Sequence, residues 1–262
     1  MTEFGDSVEN DLLPATSFRM TGLLQVSLAA NRLRWFLNDT ETSWEEARNI
    51  CLGKGGSLLS LYDEEDADVI QSFTKPTGIW LGLRRNDSYV PTWSNGEKVI
   101  FNESTTDLKG EEQLCEAIEN ETWKSFNCSE EKAFMCQHGN VRIKVIEEPK
   151  TWEEALDYCK ARHSRLLWIE DQEDQTAVEQ WLKYAPTGSI ERLWIGLRQS
   201  SIFGFWIWSD RIVSYSNWEN GLQPVMPSSK HCGVINADTF EWSDEDCGKT
   251  LPFLCEEDII YM

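Results

Sequence analysis

The chain has 262 residues, and its 24 Lys plus Arg stand against 45 Asp plus Glu, a formal net charge of −21. That charge repels phosphate backbones and anionic lipid head groups, which excludes nucleic acid as a partner. No apolar run approaches the roughly 18 residues that a membrane span requires. The length exceeds what one core usually serves, so two domains of ordinary size are expected.

Residues 1–32 open acidic, lack cysteine, and show no basic stretch followed by an apolar one. They read as an extension without a signal peptide: either a leader was removed or the chain is a fragment. The first strong element is SWEEARNIC, residues 43–51. Ser43 and Glu46 fit a capping box, so a helix is predicted to start there, with Trp44, Ala47, Ile50 and Cys51 on one face. A short apolar strand (LLSL) follows, then an acidic turn and a helix carrying Val69, Ile70 and Phe73. IWLGL at 79–83 reads as a buried strand, TWSNG as a strand end entering a turn, and Arg84 to Leu114 as a long polar segment.

The same order then returns. TWEEALDYC (151–159) repeats the box with Thr151 and Glu154 and the face with Trp152, Ala155, Tyr158 and Cys159. RLLWI leads into a helix with Val178, Trp181 and Leu182. LWIGL (193–197) and IWSDR follow, and then a second long segment, Arg198 to His231. Each half therefore places helices before strands, an α+β arrangement, and the repeat divides the chain into an extension (1–32), two domains (33–138 and 139–257) and a tail (258–262). The connector QHGNVRIKV lacks a Pro-rich or Gly/Ser-rich spacer, so the two halves are expected in close contact.

Eight cysteines, four per half, form no Cys-x-x-Cys pair, and there are three histidines. This pattern favours disulfides over zinc, and hence an oxidising, extracellular setting. Sequons at Asn38, Asn86, Asn102 and Asn120 all fall in the first half and predict a glycosylated first domain; a fifth, at Asn127, has Cys128 as its middle residue. His138, His163 and His231 sit in no nucleophile–base motif, so no enzyme is expected.

Taken in order, W-E-E-A, Cys, the L-L-x-[IL] strand, W-x-G-L, W-S-[ND], Cys, W-x-x-x-x-Cys and F-[ML]-C resemble the C-type lectin-like domain, here in tandem as in the mannose-receptor and phospholipase-A2-receptor group. The resemblance implies, per module, two helices, an antiparallel sheet, a long loop and two disulfides. It pairs Cys51 with Cys136, Cys115 with Cys128, Cys159 with Cys255, and Cys232 with Cys247.

Sugar-binding members of that family hold calcium with Glu-Pro-Asn or Gln-Pro-Asp in the long loop, a Glu two residues before the cysteine that follows that loop, and Asn-Asp after a Trp. Module 2 keeps Gln223 but has Val225 for the acid, Lys230 where the Glu would stand, and Ser243-Asp244 after Trp242. Module 1 keeps no Pro motif, has Gln113 at the Glu position, and follows Trp123 with Lys124 and Ser125. Calcium needs about 6 to 8 oxygens, and Lys230 brings a like charge, so no cofactor is expected; any residual cation would sit weakly at Gln223, Asp244 and Glu245. The acids Asp107, Glu111, Glu112, Glu241, Asp244, Glu245 and Asp246 read as a solvated rim.

Within the aromatic run Phe203 to Trp218, Trp206 and Trp208 read as a buried strand face, which leaves Tyr215 and Trp218 as surface candidates. The expected binding set is Tyr215, Trp218, Gln223, Lys230, Trp242 and Asp244, engaging a protein or glycan. The alternatives are a degenerate calcium lectin and a spacer segment of a larger multi-module receptor. Oligomeric state is not read from the sequence.

Overall fold

The computed structural model describes residues 33–71, 77–85, 92–104, 114–184, 188–209 and 211–259. Phe73, Asn86, Asp107, Glu111, Glu112 and Gln113, together with the extension 1–32, lie outside them.

Module 1 runs β1 (Arg34–Thr42), α1 (Trp44–Gly53), β2 (Ser57–Leu58), α2 (Glu64–Gln71), β3 (Ile79–Arg85), β4 (Leu114–Glu119), β5 (Thr122–Asn127) and β6 (Lys132–His138). Its sheet is ordered β1-β6-β3-β4-β5, with β2 on β6. Module 2 repeats this plan with β7 (Val141–Lys150), α3 (Trp152–Arg162), β8 (Arg165–Leu166), α4 (Gln172–Tyr184), β9 (Arg192–Gln199), β10 (Trp206–Trp208), β11 (His231–Asn236), β12 (Trp242–Asp246) and β13 (Leu251–Asp258). Its order is β12-β11-β9-β13-β7. The fold is α+β, two sheet-containing domains that differ in one respect from a purely antiparallel expectation: β3 pairs β6, and β13 pairs β9, in parallel.

The repeated tryptophans explain how helix and sheet lock together. Trp44 donates its indole N–H to the Leu81 carbonyl at 2.7 Å, and Trp80 of β3 donates back to Thr42 at 2.9 Å. Module 2 repeats the exchange with Trp152 to Ile195 and Trp194 to Lys150, both at 2.8 Å. The glycine of each W-x-G-L strand has a steric cause: a Cβ on Gly82 would lie 2.9 Å from the Leu58 carbonyl oxygen, and one on Gly196 would lie 3.0 Å from that of Leu167.

The two predicted capping boxes part company. At Thr151 both halves of the box form, with the Glu154 amide donating to the hydroxyl and the Thr151 amide to the carboxylate. Ser43 makes no side-chain cap, because Glu46 instead accepts the Thr42 hydroxyl at 2.6 Å. α1 therefore starts from a carboxylate held by the residue before the cap.

Four disulfides join Cys51–Cys136, Cys115–Cys128, Cys159–Cys255 and Cys232–Cys247. The long-range bonds span 85 and 96 residues. Loops of that size lose on the order of 4 kcal/mol of unfolded-state entropy in the chain-entropy model. Both staple a buried helical cysteine to the last strand of its sheet, which leaves the loop-bearing edge to the shorter bonds.

The modules are joined by two residues, since β6 ends at His138 and β7 begins at Val141; Asp258 closes β13 by pairing with Val141. Their contact is reciprocal. Opposite Cys136 stands Phe36, and opposite Cys255 stands Lys144, so Arg34 and Trp35 of β1 correspond to Arg142 and Ile143 of β7. Both strands reach the other module. Arg34 pairs with Glu173, the Trp35 ring lies 5.1 Å from that of Trp181, and the Trp35 backbone exchanges hydrogen bonds with Gln180. Arg142 reaches Asp63 at 2.7 Å and Asp66 at 3.0 Å, and Lys144 reaches Asp63 at 2.8 Å and also meets Glu65. Burial raises both aspartates, but Arg142 and Lys144 outweigh it at Asp63, held down to about 2, whereas at the fully enclosed Asp66 burial wins and the carboxyl rises to about 6.

Candidate long-loop site of module 2

The segment between β9 and β11 leaves the sheet at Gln199, and that residue governs the loop's path. Gln199 is buried; its amide N–H groups donate to the carbonyls of Gly204 at 2.7 Å and Pro224 at 3.4 Å, and its oxygen meets the Ser229 hydroxyl and His231 Nδ1. One side chain thus ties the beginning, middle and end of the loop. Trp206 adds a bond from its indole N–H to the Pro224 carbonyl at 2.8 Å.

Beneath the loop is an aromatic floor. Trp206 and Trp218 lie 4.8 Å apart, Trp208 and Trp242 5.3 Å, and Trp218 and Trp242 6.0 Å. Trp242 is fully buried and donates to Gln175 on α4, while the Trp242 amide donates to the Asn217 carbonyl. Trp218, expected at the surface, is therefore corrected to an interior position, and Trp242 lies there with it. Trp218 is 5% exposed and Trp242 0%, because each indole is sandwiched by the others; they support the loop from behind.

With the tryptophans turned inward, the loop presents aliphatic and phenyl groups. Ile202, Phe203, Phe205, Ile212, Leu222, Val225 and Met226 are all exposed, and the Phe203 and Phe205 rings stack at 5.6 Å. Single exposed apolar residues are ordinary; here seven fall in one stretch of chain between Ile202 and Met226. Tyr215 and Gln223 come together here, lining a cavity of about 390 Å³ with Phe205 and Ile212. The Tyr215 hydroxyl is steered by a 3.1 Å bond to Gln172, and burial with the nearby Glu179 carboxylate raises its phenol. Of these apolar residues the sequence reading weighed only the aromatic ones. The aliphatic ones follow no period, and their exposure depends on which tryptophans fill the floor.

Lys230 and Asp244 belong to a separate ionic cluster at the Cys232–Cys247 end. Asp244 accepts the Lys230 backbone N–H. Glu245 does not belong to a solvated rim as expected: it is buried, because three cations converge on it, Arg192 and Lys249 at 3.0 Å and the Lys230 ammonium at 3.5 Å. Burial pushes the Glu245 carboxyl up, yet the Asp246 amide, Lys249 and Lys230 hold it at about 2. Val225 offers no side-chain oxygen, and both carboxylates already bond donors of this chain. Such a set does not fit calcium, which asks for about 6 to 8 oxygens free to turn to the ion.

Module 1 treats the corresponding places differently. Arg85, at the position of Gln199, pairs with fully buried Glu116 at 2.8 Å and donates to Asn102 at 2.9 Å; Trp123 also donates to Glu116. Of the sequons, Asn102 and Asn120 are exposed and Asn38 is half-buried.

Among known proteins, the Lectin C-type domain matches residues 40–138 and 148–257. The secretory phospholipase A2 receptor of Pongo abelii is 24% identical over 255 residues, covering 82% of this chain and 17% of that protein. The C-type mannose receptor 2 of Mus musculus is 36% identical over 256 residues, with the same coverage of 82% and 17%. Human lithostathine, a solved structure, is 27% identical with a TM-score of 0.39, covering 44% of this chain and 90% of its own. The chain thus spans 17% of the length of these two receptors.

Proposed function

Because the chain belongs to the C-type lectin domain family, we propose that it is a non-catalytic extracellular recognition protein whose second module binds a protein ligand through its long loop, without obligatory calcium. The observation that carries this reading is the crowding of exposed apolar side chains: of eleven large hydrophobic residues exposed among the described residues, seven lie between Ile202 and Met226. Apolar area of this kind gains about 25 cal/mol per Å² when a partner covers it, and stacked aromatic anchors are the side chains on which binding hot spots are built. A sugar offers mostly hydroxyls to such a surface. Calcium, the usual bridge to those hydroxyls in the family, has no fitting donor set at Gln223, Asp244 and Glu245. Module 1 positions module 2 through the reciprocal contact.

A second reading has its own support: the chain matches a 17% stretch of much longer receptors, which favours a two-module segment of a multi-module ectodomain. The two readings are compatible, since a segment can carry the binding loop.

The test is to probe arrays of secreted proteins and of glycans with the disulfide-intact protein, with and without chelator, beside the Phe203→Asp and Leu222→Asp variants. Protein binding that survives chelator and falls at least tenfold in both variants is expected. Binding confined to glycans and abolished by chelator overturns the proposal in favour of a calcium lectin.

A further inference from the structure

A second cavity, of about 880 Å³, opens where the modules meet, away from the long loop. Module 1 contributes Tyr62, Glu97, Lys98 and Ile100 to its walls; module 2 contributes Arg162, His163 and Ile259. Its volume lies within the roughly 300 to 1,000 Å³ usual for small-ligand sites.

The cleft is not a by-product of the repeat. Leu58 pairs with Cys136 and Leu166 with Cys255, so Ser60 corresponds to Trp168. The Trp93 amide donates to the Glu97 carbonyl as the Trp208 amide donates to that of Arg211, so Glu97 corresponds to Arg211. In module 2 the Arg211 guanidinium covers the Trp168 indole at 3.6 Å. Module 1 replaces that stacked cation and indole with a carboxylate and a serine, and there the cleft is found.

Two side chains in its wall are buried with a polar atom that has no partner. Glu97, 8% exposed, leaves Oε2 without a donor, and Arg142, 6% exposed, leaves Nε without an acceptor while its terminal nitrogens hold Asp63, Asp66 and Glu257. Buried polar groups are ordinarily paired, so both atoms call for a complement. At the mouth, Lys98 and Arg162 are exposed, and neither has a carboxylate partner among the described residues; the Arg162 guanidinium lies over the Tyr158 ring at 4.4 Å. Ile100, 64% exposed, adds an apolar step.

We infer that this cleft binds a short peptide segment carrying both a cationic and an acidic side chain. Glu97 already meets the Tyr62 hydroxyl beside it, and the ammonium supplies a donor to its unpartnered Oε2; the carboxylate meets Lys98 and Arg162, and an aliphatic side chain covers Ile100 and Ile259. A polyanion such as a sulfated glycan would meet Glu97, Asp63, Glu257 and Asp258 with like charge, so the wall selects mixed charge.

The experiment pans a displayed random hexapeptide library on the folded two-module protein, then measures the enriched peptide, synthesised with a fluorophore, by anisotropy on wild type, Ile100→Asp, Arg162→Glu and Phe203→Asp. All three positions are exposed, so melting temperatures should match wild type. Enriched peptides combining Lys or Arg with Asp or Glu, with a Kd raised at least tenfold by Ile100→Asp and Arg162→Glu and unchanged by Phe203→Asp, are expected. No enrichment, purely acidic peptides that heparin displaces, or binding lost only in Phe203→Asp would each overturn the inference, and the last would leave the long-loop reading standing.

Discussion

Two long segments leave equivalent strands of the two modules, and they are anchored by opposite chemistry. In module 1, Arg85 turns inward onto buried Glu116, an internal ion pair that also holds Asn102. In module 2, Gln199 has no ionic partner and spends its amide on four points of the loop. The neutral anchor goes with a loop that shows apolar residues to solvent; the charged anchor goes with a segment that carries the exposed sequon Asn102. The same scaffold thus keeps its helices, disulfides and tryptophan exchanges constant while the anchor of the long segment changes.

The contrast can be broken at its base. Trp242→Ala removes the centre of the aromatic floor and should cost about 3–5 kcal/mol, the usual range for emptying a buried aromatic site. Calorimetry should show module 2 melting earlier, and an unchanged transition would mean that the floor does not support the loop. Gln199→Ala should cost roughly 1–3 kcal/mol for the buried groups left unpaired. Limited proteolysis should then cut between residues 202 and 226, and equal resistance to wild type would reject Gln199 as the anchor.

A finer comparison uses the helix starts. Thr151→Ala should cost about 1 kcal/mol, while Ser43→Ala, which loses no side-chain cap bond, should change denaturant midpoints by a few tenths at most. Equal losses would show that the two boxes act alike in solution. At neutral pH Glu245→Gln should cost below about 1 kcal/mol, because the partner cations are half-exposed. The folded carboxyl sits near 2, under its ordinary 4.5, so its contribution is present above pH 4.5 and lost as pH falls through about 2. The melting-temperature gap between variant and wild type should therefore close on acidification; a constant gap would exclude an ionic role.

Legibility followed the range of the interactions. Trp44, Ala47 and Cys51 announce a buried helix face within seven residues, and W-x-G-L announces a buried strand within four. The cysteine partners came from a family resemblance, because four cysteines alone allow three pairings. Trp218 was misplaced because its burial depends on Trp206 and Trp242, 12 and 24 residues away, which no local period encodes. Gln199 was not singled out, since its partners lie 5 to 32 residues downstream. The exchange between Trp35 and Gln180 spans 145 residues and left no mark in the local pattern of β1.

That exchange has a consequence for how the protein is made. Each module covers its partner's helix with its own edge strand, so neither half of the contact is complete alone. Synthesis runs from the N-terminus, and domains fold largely in that order. Module 1 can close its disulfides and sheet while Trp35 and the Asp63–Asp66 pair still face water, because their cover, α4 and Arg142, belongs to the later half. A buried tryptophan and a buried carboxylate wait on the arrival of the second domain, so a lesion that removes module 2 would leave this edge of module 1 uncovered.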